Sequence, residues 1–311
     1  MNPPSSSVPE VPVDSQGITP EAVPATRPIY WSVRRELWEN RSIYVAPLGV
    51  AAVVLFGFLI HTITLSLRMR ALSALDAGKQ RAAVAMPYSV AAGLILATAF
   101  IVGGFYCLDA LHGERRDRSI LFWKSLPVSD RTTVLSKAGI PLVVLPLFSF
   151  AIIVATQVMI LMMSTAALLG NGPGLATLWT NVKFFQSTLA LIYALMAIAL
   201  WHAPLYGWLL LVSGWARRAT FLWAVLPPLA ICVFEAIAFR TSHFAKLLGH
   251  RLIGWFELAF VKQVKGTAPI DPLTQLTPGN FLSTPGLWIG LALAAVFLTA
   301  AVRLRRNREP I

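Results

Sequence analysis

The chain has 311 residues, of which 56% are hydrophobic and only 13% are charged, and its mean hydropathy is +0.67. A water-soluble domain this apolar would aggregate, whereas lipid can cover such a surface, so the composition predicts a protein that crosses a membrane several times. The net charge of +12 does not indicate a nucleic-acid partner, because basic residues beside membrane spans set topology and contact anionic membrane lipid. Cys107 and Cys232 are too few for a disulfide framework or a zinc site.

The N-terminal residues divide into two segments. Residues 1–27 are rich in Pro and Ser without apolar periodicity, which predicts a disordered cytoplasmic tail. Residues 28–42 are typical of an amphipathic helix in the membrane interface. Its apolar side is predicted to carry Tyr30, Val33, Leu37 and Trp38, and its polar side Arg34, Arg35, Glu36, Glu39 and Asn40.

Six apolar segments follow, each long enough for the roughly 20 helical residues that cross about 30 Å of hydrocarbon. They cover residues 43–67, 87–111, 138–169, 184–212, 219–239 and 285–302. We therefore predict an all-α polytopic membrane protein whose transmembrane domain occupies residues 43–311. Residues 68–86 read as a short polar connection between the first two spans.

Prolines mark irregular points in three spans. Pro141 and Pro146 are expected to kink the third span or set its start, and Pro227-Pro228 to break the fifth midway. Thr284 followed by Pro285 predicts the first turn of the sixth. In that span Gly286 and Gly290 form a G-x-x-x-G pattern, which suits close packing within one subunit or between two.

Two connections are longer than a link between spans requires. Residues 112–137 contain many charged residues around an apolar, aromatic centre, which predicts a short amphipathic helix that docks into another protein. Ser129 is expected to cap the helix that follows. Residues 240–284 combine apolar and basic residues at helical spacing but are too interrupted to span, so we expect an outer interfacial or re-entrant helical region.

The number of spans and the basic residues together predict an orientation. Six spans place both termini on one side, and the segments on that side hold 16 of the 26 Lys and Arg. Cytoplasmic segments carry the excess of basic residues, so both termini are predicted to be cytoplasmic.

The sequence lacks motifs for chemistry of its own. It has no G-x-x-x-x-G-K-[ST], no H-E-x-x-H and no G-x-S-x-G, so we predict neither an enzyme nor a bound cofactor. Four ionisable residues lie in or near the spans: His61, Asp109, His202 and Glu235. We expect packing roles for both histidines and an arginine or His112 beside Asp109. Glu235 is either a contact in a substrate path or a carboxylate paired with Arg240.

The connection 112–137 resembles a known family. Glu114-Arg115, Ser119-Ile120-Leu121, Leu126-Pro127-Val128-Ser129 and Lys137 are similar to the motif of ABC-2 type transporter permeases, the membrane subunits of bacterial ABC exporters. The order of amphipathic helix, six spans, charged segment after the second span and outer helices before the sixth is similar as well.

The resemblance implies a half-transporter in the bacterial cytoplasmic (inner) membrane. Two copies of the chain would pair with two copies of a separate ATPase subunit, which would hold the ATP and magnesium. The segment 114–126 would be a coupling helix in a groove of the ATPase, with the interface helix beside it. The residues implied to contact the ATPase are Glu114, Arg115, Arg116, Arg118, Ile120, Phe122, Trp123, Leu126, Arg34 and Arg35.

Two other functions remain open from the residues. An ATP-independent channel or secondary transporter would also be polytopic, although such carriers tend to have matched halves and none is visible. A membrane-embedded enzyme would need a dyad or metal cluster facing a wet cavity, and the five histidines are scattered along the chain.

Overall fold

The structure, a computed structural model, describes residues 26–72, 75–119, 129–170, 172–260 and 273–307, with the backbone alone for residues 26–29. The described residues form helices and a single isolated β-bridge, between Phe260 and Leu276. In chain order the helices are α1 (Thr26–Glu39), α2 (Ser42–Thr62), α3 (Leu65–Leu72), α4 (Ala77–Ala110), α5 (His112–Arg116), α6 (Asp130–Gly139), α7 (Leu145–Leu168), α8 (Gly172–Asn181), α9 (Phe184–Trp215), α10 (Thr220–Phe239), α11 (His243–Ile253), α12 (Trp255–Ala259), α13 (Pro278–Ser283) and α14 (Pro285–Asn307).

Six helical segments are long and apolar enough to cross a membrane, which confirms the predicted number of spans within the described residues. They are Ser42–Thr62, Ala77–Arg116, Asp130–Leu168, Gly172–Trp215, Thr220–Phe239 and Pro285–Asn307. The helix predicted over 28–42 is present as α1. It begins at Thr26, two residues inside the predicted tail, and the rest of that tail lies outside the described residues.

The polar connection predicted over 68–86 is largely helical. Helix α3 occupies Leu65–Leu72, and α4 begins at Ala77, ten residues before the predicted start of the second span. The segment is polar but rich in good helix formers, and a helix does not have to end where the hydrocarbon ends. Pro87, expected near the start of the span, therefore lies inside α4.

The third span contains the irregularity that its prolines predict. Residues Ile140–Val144 form a π-helical turn between α6 and α7, with Pro141 at its beginning and Pro146 in the first turn of α7. Because proline cannot donate to the carbonyl four residues earlier, a wider turn at this point accommodates both rings.

The fifth span is not broken at Pro227-Pro228, contrary to the sequence reading. Helix α10 runs through both prolines from Thr220 to Phe239. Pro228 leaves the carbonyl of Ala224 without its usual donor, and the indole of Trp208 in α9 donates to that oxygen at 3.1 Å. A neighbouring helix thus replaces the hydrogen bond that the proline removes.

Helices α2, α4, α7 and α9 pack against one another, and α14 packs along α9. At the α9–α14 contact, a Cβ added to Gly207 would lie 3.4 Å from the carbonyl oxygen of Ala294, so glycine permits the close approach. Helix α10 is peripheral: all of its residues are described, and Ala224 is the one that is fully buried.

The bundle has two ends, which we name by a helix at each. The α5 end carries α1, α5, the start of α6 and the last turns of α9 and α14. The α11 end carries α11, α12 and α13, the helical region expected between residues 240 and 284; residues 261–272 of that region lie outside the described residues.

Candidate functional site

A group of charged side chains is buried at the α5 end. We call it the buried charge cluster and define it as Glu36, Tyr106, Glu114, Asp130, Lys137 and Arg305. Its members come from α1, α4, α5, α6 and α14. Ionisable groups in a membrane domain are costly and are retained where they do structural or functional work, so this cluster is the strongest candidate site.

Lys137 is the centre of the cluster. Its Nζ lies 2.6 Å from Oε1 of Glu36 and 3.3 Å from Oε1 of Glu114, and its side chain is 3% exposed. Tyr106 donates its hydroxyl to Oε2 of Glu36 at 2.9 Å. One lysine thus joins α1 to α5, and the tyrosine adds α4 to the same contact.

Arg305 makes the second junction. Its Nη2 lies 3.3 Å from Oε2 of Glu114, and its Nη1 donates to Oδ1 of Asp130. Glu114 lies shortly before the segment 120–128, and Asp130 directly after it. A single guanidinium on the last helix therefore holds both ends of the charged connection.

Helix α5 is also fixed to the end of α9. Ser213 is fully buried, and its hydroxyl accepts hydrogen bonds from the backbone N–H groups of Leu111 at 3.0 Å and His112 at 2.9 Å. These are donors at the start of α5 that have no partner within the helix. The guanidinium of Arg115 donates to the carbonyl oxygen of Gly214 at 3.0 Å, at the negative end of the α9 dipole.

Opposite charges meet inside the cluster. Its three carboxylates contact two cations, Lys137 and Arg305. A buried ion pair contributes little net stability, because desolvation offsets the attraction, but removing one partner leaves an uncompensated charge. The network therefore favours one arrangement of these helix ends over others.

Glu36 corrects the sequence reading of α1. It was placed on the polar side of that helix, but it is 4% exposed and faces the bundle, beside Val33 and Leu37, which pack on the core. Helical spacing identified an amphipathic helix, but the burial of Glu36 depends on Lys137, about 100 residues away in sequence.

No protein-family model, no curated protein and no solved structure matches this chain. The assignment of the site therefore rests on its own geometry.

The predicted partner contacts fall into three groups. Glu114 and Arg115 are buried and contact other parts of the chain, as described above. Arg116, Arg118, Arg34 and Arg35 line the same end of the bundle. Ile120, Phe122, Trp123 and Leu126, which would form the apolar face of a coupling helix, lie outside the described residues.

The four arginines of the second group differ in surroundings. Arg116 is exposed and lies 3.0 Å from Asp117 and 3.8 Å from Asp109, the arginine neighbour expected for Asp109. Arg118 is exposed and has a positive φ of 57°. On α1, Arg34 stacks over Trp31, and Arg35 lies 2.6 Å from Glu39. These cations provide the exposed part of the α5 end.

Ser129 caps α6 as predicted. Its hydroxyl accepts a hydrogen bond from the backbone N–H of Thr132 at 3.1 Å, and Asp130 lies in the first turn. The start of α6 is thereby fixed twice, by the cap and by the contact of Asp130 with Arg305.

Glu235 has a different partner from the one expected. Its carboxylate accepts hydrogen bonds from the backbone N–H groups of His243 at 2.6 Å and Phe244 at 2.8 Å, and from the hydroxyl of Thr241 at 2.7 Å. It therefore caps α11 from the preceding helix instead of pairing with Arg240, because free N–H groups at a helix start attract an anion. Its place in a substrate path stays a prediction.

Both histidines of the spans have packing contacts, as expected. His202 is buried, with its ring nitrogens 2.9 Å from the carbonyl oxygen of Ile198 and 3.1 Å from that of Leu252. His61 packs against the ring of Phe58. Among the residues the structure describes, no group of three or more His, Cys, Asp or Glu side chains is arranged to hold a metal.

Proposed function

We propose that this chain is the membrane-spanning subunit of an ABC-2 type exporter and transmits the work of a separate ATPase to helices that cross the membrane. Two copies of the chain would pair with two ATPase subunits that bind ATP and magnesium. The α5 end would face the cytoplasm, in a bacterial inner membrane.

The buried charge cluster is the observation that carries this proposal. Arg305 contacts Glu114 on one side of the segment 120–128 and Asp130 on the other. Lys137 links the same Glu114 to α1. A displacement of Glu114 or Asp130 would therefore be passed to α14 through Arg305, and a displacement of Glu114 to α1 through Lys137.

Electrostatics favours a partner at this end. Arg116 and Arg118 are exposed at the α5 end, and Arg217 and Arg218 follow α9 at the same end. A basic rim attracts a partner with an acidic groove and sets its register, whereas apolar side chains at the centre of an interface supply most of the affinity. Phe122 and Trp123 would provide that apolar centre.

The test is a site-directed cross-link to an ATPase encoded beside this chain. The chain carrying Arg118→Cys is co-expressed with that ATPase carrying single cysteines around its groove, and the membranes are oxidised. We expect a disulfide-linked heterodimer whose yield changes when ATP is added. The matched control is Lys79→Cys, which lies at the opposite end, beside Asp76, and should give no product.

Two results would contradict the proposal. One is cross-linking from Lys79→Cys but not from Arg118→Cys, which would reverse the orientation. The other is substrate movement by the purified chain in vesicles without any ATPase, which would favour a channel or secondary transporter.

A further inference from the structure

A cleft opens between α9, α10, α11 and α14 toward the α11 end. We call it the Arg251 cleft. Its volume is about 500 Å³, within the range of sites that hold small organic ligands. Along α14 it extends from Gly286 to Phe297, which corresponds to about 16 Å of helix.

The walls of the cleft are apolar and incomplete. Pro228 and Ile231 of α10 face Leu293 and Phe297 of α14 across it. Helix α10 buries Ala224 alone among its described residues, and α11 buries none of its residues. Because α10 packs on the bundle so sparsely, the cleft is open along its side as well as at its end.

One cation lies at the α11 end of the cleft. The guanidinium of Arg251 stacks over Trp201 at 4.4 Å from the ring centre and donates from Nη1 to the carbonyl oxygen of Gly286 at 3.0 Å. A Cβ on Gly290 would overlap this guanidinium, so the G-x-x-x-G pattern of α14 accommodates an arginine of the same chain. Among the residues the structure describes, its Nη2 has no hydrogen-bond partner.

Arg251 has no carboxylate partner among the described residues, and no described residue that lines the cleft is acidic. Burial lowers the pKa of the Arg251 guanidinium. A cation that is partly withdrawn from water is normally paired, as Lys137 and Arg305 are at the other end. No described residue supplies a counter-charge to Arg251, and an anion bound in the cleft would supply one.

We infer that the Arg251 cleft binds an anionic membrane lipid, with the acidic headgroup against Arg251 and one acyl chain between α10 and α14. Charge complementarity selects the headgroup, and the apolar walls suit a hydrocarbon chain. The open side of the cleft lets a lipid enter from the bilayer without passing through the bundle. This inference does not depend on the proposed transport function.

Native mass spectrometry of the purified full chain tests the inference. The protein is incubated with phosphatidylglycerol or phosphatidylcholine of identical acyl chains, and retained lipid is counted. We expect one tightly retained phosphatidylglycerol, with about tenfold preference over phosphatidylcholine, the size expected of one charge-assisted contact. Arg251→Gln should abolish the preference, whereas Lys246→Gln, which removes an exposed charge from the same helix, should leave it unchanged.

A second variant tests the tail. Leu293→Trp fills the apolar part of the cleft without touching Arg251 and should release the lipid, so the inference stays testable if Arg251→Gln does not fold. Equal retention of the two lipids by the wild type would overturn the inference. So would undiminished retention of phosphatidylglycerol by Arg251→Gln or Leu293→Trp, or an equal loss in Lys246→Gln.

Discussion

The cations at the two ends of the bundle have different partners. At the α5 end, Lys137 and Arg305 are each held by two carboxylates of the same chain. At the α11 end, Arg251 has an aromatic face and a backbone carbonyl but no acidic partner among the described residues. In the first arrangement the chain itself supplies the carboxylates, whereas in the second no described residue supplies one.

The two arrangements suit different roles. A network of buried ion pairs fixes the relative positions of the helices that contribute to it, which suits the force transmission proposed for the α5 end. A lone cation beside an apolar cleft suits an end that holds a ligand. Substitutions at the α5 end should therefore change stability and coupling, and substitutions at Arg251 should change what the protein binds.

The largest effect on stability is expected at Lys137. Lys137→Met leaves Glu36 and Glu114 buried without their cation, and breaking a buried pair in this way costs about 3–5 kcal/mol. Reversible denaturant unfolding in mixed micelles measures the change.

Lys79→Met is the matched control, because the Lys79 side chain is 71% exposed and its ammonium lies 3.7 Å from Asp76. Its effect should stay below about 0.5 kcal/mol. If the two variants unfolded alike, the cluster would contribute no more than a surface contact.

Ser213→Ala should have a smaller effect. The change removes the acceptor for two buried N–H groups, those of Leu111 and His112, and costs about 2 kcal/mol. The same unfolding measurement applies, with Ser89→Ala as the control, because Ser89 is exposed and contacts only its own helix. Equal stability of the two variants would mean that Ser213 does not hold α5.

The smallest effect is expected at Trp208. Trp208→Phe keeps the aromatic packing but leaves the carbonyl of Ala224 without a donor beside Pro228, which costs about 1 kcal/mol. Trp179→Phe, at an exposed tryptophan, is the control. A neutral Trp208→Phe would show that α10 tolerates its proline pair without help from α9.

The sequence predicted the features that depend on local pattern. The lengths of the apolar segments predicted the six spans. Pro141 and Pro146 predicted the irregular start of the third span, and Ser129 predicted the cap of α6. Each of these depends on residues within a few turns of one another, so periodicity and backbone chemistry are sufficient to find them.

The features that it missed depend on contacts across the fold. Arg305 reads as one of several basic residues after the last span, but it binds Glu114 and Asp130, which are more than 170 residues away. The continuity of α10 through Pro227-Pro228 requires Trp208, and the burial of Glu36 requires Lys137. Single-sequence patterns contain no information on which distant groups meet.

The candidate site was located only in part. The connection 112–137 stands out in the sequence because its charges exceed what a link between spans requires. Its role was assigned wholly to its surface, whereas Glu114 and Lys137 also belong to an interior network. The unusual number of charged residues near the span ends marks this region in the sequence, but it does not show which of those side chains are buried.

Coupled transport in vesicles that contain the chain and its ATPase tests the role of the buried charge cluster most directly. Arg305→Met removes the cation that holds both ends of the segment 120–128, and Arg303→Met removes an exposed cation one half-turn away. ATPase binding is first verified for both variants. We predict that the complex with Arg305→Met still hydrolyses ATP but loses at least about tenfold in transport per ATP, because a few kcal/mol is lost from the coupled arrangement. The complex with Arg303→Met should transport normally. Normal transport per ATP by Arg305→Met would contradict the proposed role.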